Sequence, residues 1–253
     1  MKNTINTFKA SKTTDAALTV LNNGVSTLES LEELLNDKFP FEAHQLSAAS
    51  KAFEDEISTK GAEEANSTLE NAIPPTRDAI ALGIAHIQTL EAWITLSIPP
   101  VEDGNNFGVS IQLDVAKFLD EKRKEFGKIL DSIPAYYGSR ADVVDKLNLP
   151  SGSTSVTTTK TKSETSGGKD GDEAKTSTTV VEEDKESGPK KQSMQRLRQL
   201  VALDVQFYNN LRSSLVSVTD GYATIMDNCE KNYDKLAQPK GSSGGRHNMM
   251  SMF

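Results

Sequence analysis

The residue types that could do chemistry gather in one short run: Ile98-Pro99-Pro100-Val101-Glu102-Asp103-Gly104-Asn105-Asn106-Phe107-Gly108-Val109-Ser110-Ile111-Gln112. Pro99 and Pro100 offer no backbone N–H and disfavour helix in the residue ahead of each, so they end the helix that precedes them. Glu102 to Asn106 are turn formers. Asp and Asn side chains fold back onto their own backbone, and Gly104 can take positive φ. Asn105 or Asn106 can then cap a helix that begins near Phe107. The Glu102-Asp103 pair could attract a cation, but the run lacks the spaced oxygen ligands and the terminal Glu of an EF-hand. From the residues alone this is a specific helix–helix connector, with no metal expected.

The search for catalysis elsewhere finds no constellation. His44, His86 and His247 show no ligand spacing with one another or with Cys229. There is no phosphate-binding Gly-rich loop, no G-x-G-x-x-G and no G-x-S-x-G elbow. The expectation is a protein that is not an enzyme and carries no cofactor. Cys229 lies in a helical pattern beside Ile225, Met226 and Tyr233, and reads as a small buried hydrophobe. Asn66-Ser67-Thr68 matches a glycosylation acceptor, expected to be silent without a secretory route.

Four helical segments must position the connector. In the first, Leu18, Leu21, Val25, Leu28, Leu31 and Leu35 recur at helical spacing until Phe39-Pro40. In the second, Ile80, Ile84, Ile87, Leu90 and Ile94 form one stripe between Pro74-Pro75 and Pro99-Pro100. The third runs from about Phe107 to Leu147, with Pro134 expected to kink it. The fourth runs from about Ser193 to Leu236, its apolar residues including Leu200, Phe207, Leu211, Leu215, Val218, Tyr222 and Ile225. No strand pattern competes. The predicted fold is all-α: an antiparallel up-down-up-down four-helix bundle with long helices.

The predicted organisation is a flexible N-terminus over 1–12, helices 1–3 over 13–147, and helix 4 over 192–237. Residues 50–73 are read as a polar linker between helices 1 and 2, helical in part. Residues 148–191, rich in Ser, Thr, Gly, Lys and Glu, form a low-complexity insert expected to be disordered. Residues 238–253 are a flexible tail: Pro239, then Gly241-Ser242-Ser243-Gly244-Gly245, then Met249-Met250-Ser251-Met252-Phe253. A glycine leash ending in apolar residues and a carboxylate suits insertion into a pocket. In an up-down-up-down bundle the helix 2–3 connector shares one end with both termini. The run at Val101–Gly108 and the tail should therefore lie together, with the two polar segments at the far end.

Composition narrows the partners. Hydrophobic content is 36%, below the usual value of about 45–50%. Net charge is -8, which argues against nucleic-acid and anionic-membrane binding. No apolar run of membrane-spanning length and no secretory signal is apparent, so an intracellular location, nuclear and/or cytoplasmic, is expected.

The connector resembles the activation loop of the 11S (REG) proteasome activators, and the likeness continues through helix 3 to Ser139-Arg140-Ala141-Asp142-Val143-Val144. Asn232-Tyr233-Asp234-Lys235-Leu236-Ala237-Gln238-Pro239-Lys240-Gly241 is similar to the end of that family's last helix. The resemblance implies a homoheptameric ring that docks on the α subunits of the 20S proteasome without ATP. It makes Pro100, Val101, Glu102, Asp103, Gly104, Asn105, Asn106, Phe107 and Gly108 the activation loop, with Asn105 at the position on which gate opening depends. It makes Ser251, Met252 and Phe253 the anchoring tail. The chain departs from the family in its short 50–73 segment, its long insert between helices 3 and 4, Pro134, and Phe253 where Tyr is usual. The alternative reading is a non-catalytic helical scaffold that binds partners through its bundle and insert.

Overall fold

The computed structural model describes residues 7, 13–64, 66–100, 106–148 and 194–240. Ser251, Met252 and Phe253, expected to anchor, together with His247 and with Val101, Glu102, Asp103, Gly104 and Asn105 of the loop, lie outside these residues, as does almost all of the insert. The described part is helical: α1 (Asp15–Asn22), α2 (Gly24–Lys38), α3 (Leu46–Lys60), α4 (Ser67–Ser97), α5 (Phe107–Asn148), α6 (Met194–Lys231) and α7 (Tyr233–Ala237).

Four long helical stretches, α1–α2, α4, α5 and α6–α7, pack antiparallel. Pairings along α5 show the direction. Arg123 Nε meets Glu91 Oε2 of α4 at 3.1 Å, and Arg140 Nη2 donates to the carbonyl of Glu64, just ahead of α4, at 2.7 Å. Against α6–α7, Gln112 meets Leu236 and Tyr136 stacks on Phe207 with ring centroids 4.0 Å apart. As the number rises on one helix it falls on the next.

One buried stripe on α5 holds the centre. Leu119, Phe126 and Ile133 follow one another at seven-residue spacing and are all buried. Phe126 sits between two glycines. A Cβ on Gly83 of α4 would stand 3.4 Å from its ring, and one on Gly221 of α6 would stand 3.2 Å from it. The glycines let both helices close onto one aromatic side chain. Each such fully buried large apolar side chain contributes about 1.5–3 kcal/mol.

Three boundaries differ from the sequence expectation. The helical part of the polar segment is Leu46–Lys60, which starts ahead of the expected linker: Ala49, Phe53 and Ile57, spaced four apart, are buried against the body of the bundle. The aromatic rings of Phe39, Phe41 and Phe53 surround Tyr208 of α6 at 5.5, 6.0 and 5.8 Å. The Tyr208 hydroxyl donates to the Phe41 carbonyl at 2.9 Å and accepts from the Phe41 N–H at 2.8 Å. The segment after Phe39-Pro40 is thereby fixed to α6.

Secondly, α4 begins at Ser67, so Pro74 and Pro75 lie inside it. Two backbone donors are lost there, but Leu69, Ala72, Ile73 and Thr76 around them are nearly or fully buried, and tertiary packing outweighs the local cost. Asn66 starts the helix by accepting from the Leu69 N–H at 3.2 Å. The Asn of the glycosylation-like triplet is thus a buried cap. Thirdly, the first helix breaks at Asn23 into α1 and α2. Pro134 is accommodated within an unbroken α5.

By length and composition α4 is apolar enough to cross a bilayer, contrary to the sequence expectation. Its Ile80, Ile87, Leu90, Trp93 and Ile94 are buried inside the bundle.

Candidate functional site: the loop shoulders and the root of the tail

α4 ends as expected at the proline pair. Ile98 is extended (φ -61°, ψ 122°), the conformation that a following proline favours. On the far side the Asn106 carbonyl accepts from the Ser110 N–H at 3.0 Å, the first bond of α5. Of the predicted loop residues, Pro100, Asn106 and Phe107 are exposed shoulders, Phe107 by 63%. Gly108 is buried.

The end of α6 is brought to these shoulders. The chain turns at Asn232 into the short α7, where Tyr233 stacks on Trp93 of α4 at 5.9 Å and Leu236 is fully buried. A five-residue helix has little intrinsic stability, so these contacts fix it. Three further contacts join the root of the tail to both shoulders. Gln112 Nε2 donates to the Leu236 carbonyl at 2.8 Å. Gly108 lies so close to Pro239 that a Cβ on it would be 2.1 Å from the Pro239 oxygen. Lys240 Nζ donates to the Pro100 carbonyl at 3.3 Å. The described residues on either side of the connector thus meet the root of the tail at one end of the bundle, as connectivity predicts.

The strongly perturbed titratable groups lie elsewhere. Near the opposite end, Asp204 of α6 is fully buried. Tyr136 Oη donates to its Oδ1 at 3.0 Å and Asn66 Nδ2 to its Oδ2 at 3.5 Å. Arg140 Nε stands 3.3 Å from Oδ1, an ion-pair separation without hydrogen-bond alignment. Burial raises the Asp204 carboxyl above its ordinary range, and Arg140, Tyr136 and Asn66 offset this only in part. Burial and the neighbouring Asp204 also raise the Tyr136 hydroxyl. His86 lies in mid-bundle with Nδ1 2.7 Å from Tyr222 Oη, and burial lowers its pKa. Cys229 is fully buried, its thiol pushed up to about 12. Among the described residues no cluster of His, Cys, Asp or Glu could hold a metal. The arrangement of shoulders and tail root is mechanical: it fixes the residues on either side of the loop relative to the end of α7.

Gln112 and Leu236 are not among the site residues expected from the sequence. Gln112 does carry a signal, because it lies seven residues ahead of Leu119 on the buried stripe. A polar side chain at the head of an apolar stripe calls for a partner.

Residues 63–150, which span α4, the loop and α5, match the family described as "Proteasome activator PA28, C-terminal". The chain is 37% identical over 91 residues to human proteasome activator complex subunit 3, and 38% identical over 64 residues to proteasome activator 28 of Dictyostelium discoideum. Over these residues the chain is similar to the PA28 (11S) activators. It covers little more than a third of the human relative's length, 36% of each chain, and 28% of the Dictyostelium protein with 25% of its own. The PA28 match thus lies on the second and third long helices and the loop between them. The fold likeness is wider. The PA26 activator of an archaeal 20S proteasome–PA26 complex superposes with a TM-score of 0.65 at 18% identity, covering 99% of both chains. The 11S subunit PA28 of Plasmodium falciparum superposes with a TM-score of 0.61 at 18% identity, covering 95% of this chain and 94% of that one.

Proposed function

We propose that this protein is a non-catalytic, ATP-independent activator of the 20S proteasome. It docks on the α subunits through its C-terminal tail, with Ser251, Met252 and Phe253 as anchor, and opens the gate with the loop Pro100–Gly108. The observation that carries this reading is the joining of the tail's root to both shoulders of that loop. Relatives in the PA28 family are named as proteasome activators, and structural neighbours include PA26 in complex with archaeal and yeast 20S proteasomes.

The working form is a homoheptameric ring. One short tail binds weakly, and several on a rigid ring gain avidity. Two clefts flanking α6 favour side-by-side packing of copies. One, of about 690 Å³, is floored by Ile129, Tyr136, Phe207 and Leu211. The other is lined by Leu18, Leu21, Val25 and Leu28. Such a protein acts inside the cell, in the nucleus or cytoplasm, wherever core particles are found.

The test is hydrolysis of short fluorogenic peptides by latent 20S proteasome without ATP. The wild type should stimulate, a chain lacking Met252-Phe253 should neither bind nor stimulate, and Asn105→Tyr should bind without stimulating. Stimulation that survives loss of the tail, or its absence in the wild type, defeats the reading and leaves the scaffold alternative to be pursued.

A further inference from the structure

We propose that Gln112 is the positioning residue that holds the tail's root in register with the loop, so that a seated tail presents the loop correctly to the gate; this rests on the activator reading above. The carbonyls in the last turn of a helix lack intrahelical partners. At Leu236 the missing donor comes from outside the helix, as Gln112 Nε2 at 2.8 Å. Gln112 is fully buried, so its amide competes with no solvent. Its Oε1 is also buried and has no hydrogen-bond partner among the described residues. Rotating the amide would set that oxygen against the Leu236 carbonyl, so the contact holds in one orientation.

Of the three contacts between root and shoulders, this is the buried directional one. The contact of Gly108 with Pro239 resists approach but not separation. Lys240 is an exposed cation on a flexible stem, and such contacts hold weakly. Without the Gln112 amide the short α7 keeps Leu236 and Tyr233 in place but loses the bond that fixes where Pro239 and Lys240 leave the bundle. The tail remains attached and able to bind. Its angle to the loop becomes variable, and gating depends on that angle.

The decisive variant is Gln112→Met, similar in volume and unable to donate. Sedimentation velocity, affinity for latent 20S proteasome from the organism that carries this protein, and peptide hydrolysis at saturating activator are measured together. Assembly should match wild type and affinity should hold within about threefold, while saturated stimulation falls by about fivefold or more, the scale of one lost buried hydrogen bond. Lys240→Met, at the exposed tether, should lower saturated stimulation by about twofold at unchanged affinity. Full saturated stimulation by Gln112→Met overturns the proposal while the activator reading stands. So does a loss of affinity or assembly that accounts for the whole defect, since that is a structural role. If Gln112→Met does not fold, Gln112→Asn, which keeps the amide but sets it short of the Leu236 carbonyl, decides, and full saturated stimulation by it overturns the proposal. A wild type that binds no 20S proteasome and stimulates none defeats the activator reading, and the proposal with it.

Discussion

Replacing Gly108 by alanine tests the packing of loop shoulder on tail root. The added Cβ would stand 2.1 Å from the Pro239 oxygen and 2.7 Å from its carbonyl carbon and Cα, where contacting heavy atoms prefer about 3.5 Å. The obstacle is backbone, so no side-chain rotation relieves it, and Pro239 must retreat by more than about an ångström. Leu236 is three residues away, and a comparable shift there stretches its 2.8 Å bond from Gln112 past any useful length. Leaving those two buried groups unpaired costs about 1–3 kcal/mol. Alanine regains at most about 1 kcal/mol of helix propensity. For a chain of this size each kcal/mol moves the melting midpoint by about 2–4 °C, so Gly108→Ala should melt several degrees lower. Gly127 and Gly138 lie on the same helix, and a Cβ added to either would meet nothing within 4 Å. Alanine at those positions should raise the midpoint by up to about 4 °C. The assay is scanning calorimetry of all three at one protein concentration, because the proposed assembly would make the midpoint concentration-dependent. Equal gains from the three substitutions would refute the close approach of Gly108 and Pro239.

Two further predictions concern the buried charges. Arg140→Met strands the Asp204 carboxylate and should cost about 3–5 kcal/mol at neutral pH by denaturant unfolding. Because burial raises the folded-state pKa of Asp204, the folded protein binds the extra proton as pH falls from neutral towards the ordinary carboxylate range, and the variant should regain stability on acidification; a flat or opposite trend would contradict the assignment. His86 has the reverse sign: its folded-state pKa is lowered, so the unfolded chain takes up the proton first and stability is lost as pH falls below about 6.5. His86→Gln should flatten that slope in wild-type melting curves between about pH 7 and 5.5, and an unchanged slope would assign the acid sensitivity to another group.

The legible parts of this chain are those with long, regular patterns. The sequence places α5 from about Phe107 to Leu147 and the helix spans Phe107–Asn148, because an Asn cap and a long apolar stripe mark it. The meeting of tail root and loop shoulders follows from connectivity. α3 escapes a sequence reading because its buried stripe is only Ala49, Phe53 and Ile57 among Ser, Lys, Glu and Asp, a pattern as short as a chance run. The start of α4 is hidden because Pro74-Pro75 normally stop a helix, and the burial that overrides them comes from distant residues. Asp204 and Gln112 share one lesson. Each is a polar residue on an otherwise apolar stripe, and the partner that makes it tolerable is supplied by another helix: Arg140 and Tyr136 in the first case, Leu236 in the second. Periodicity reveals the exception but does not identify its partner.

The seclusion of Cys229 has a practical side. It is the chain's single cysteine, fully enclosed, with a thiol that stays protonated at neutral pH. The thiolate is the reactive form, so maleimides and mild oxidants should find little to attack in the folded protein. The wild-type sequence thus serves as its own labelling background. A cysteine introduced at exposed Leu82 or Leu113 would be the one accessible thiol per subunit. Fluorophores or spin labels placed there could report distances between copies in the proposed ring without first removing a native residue from the core.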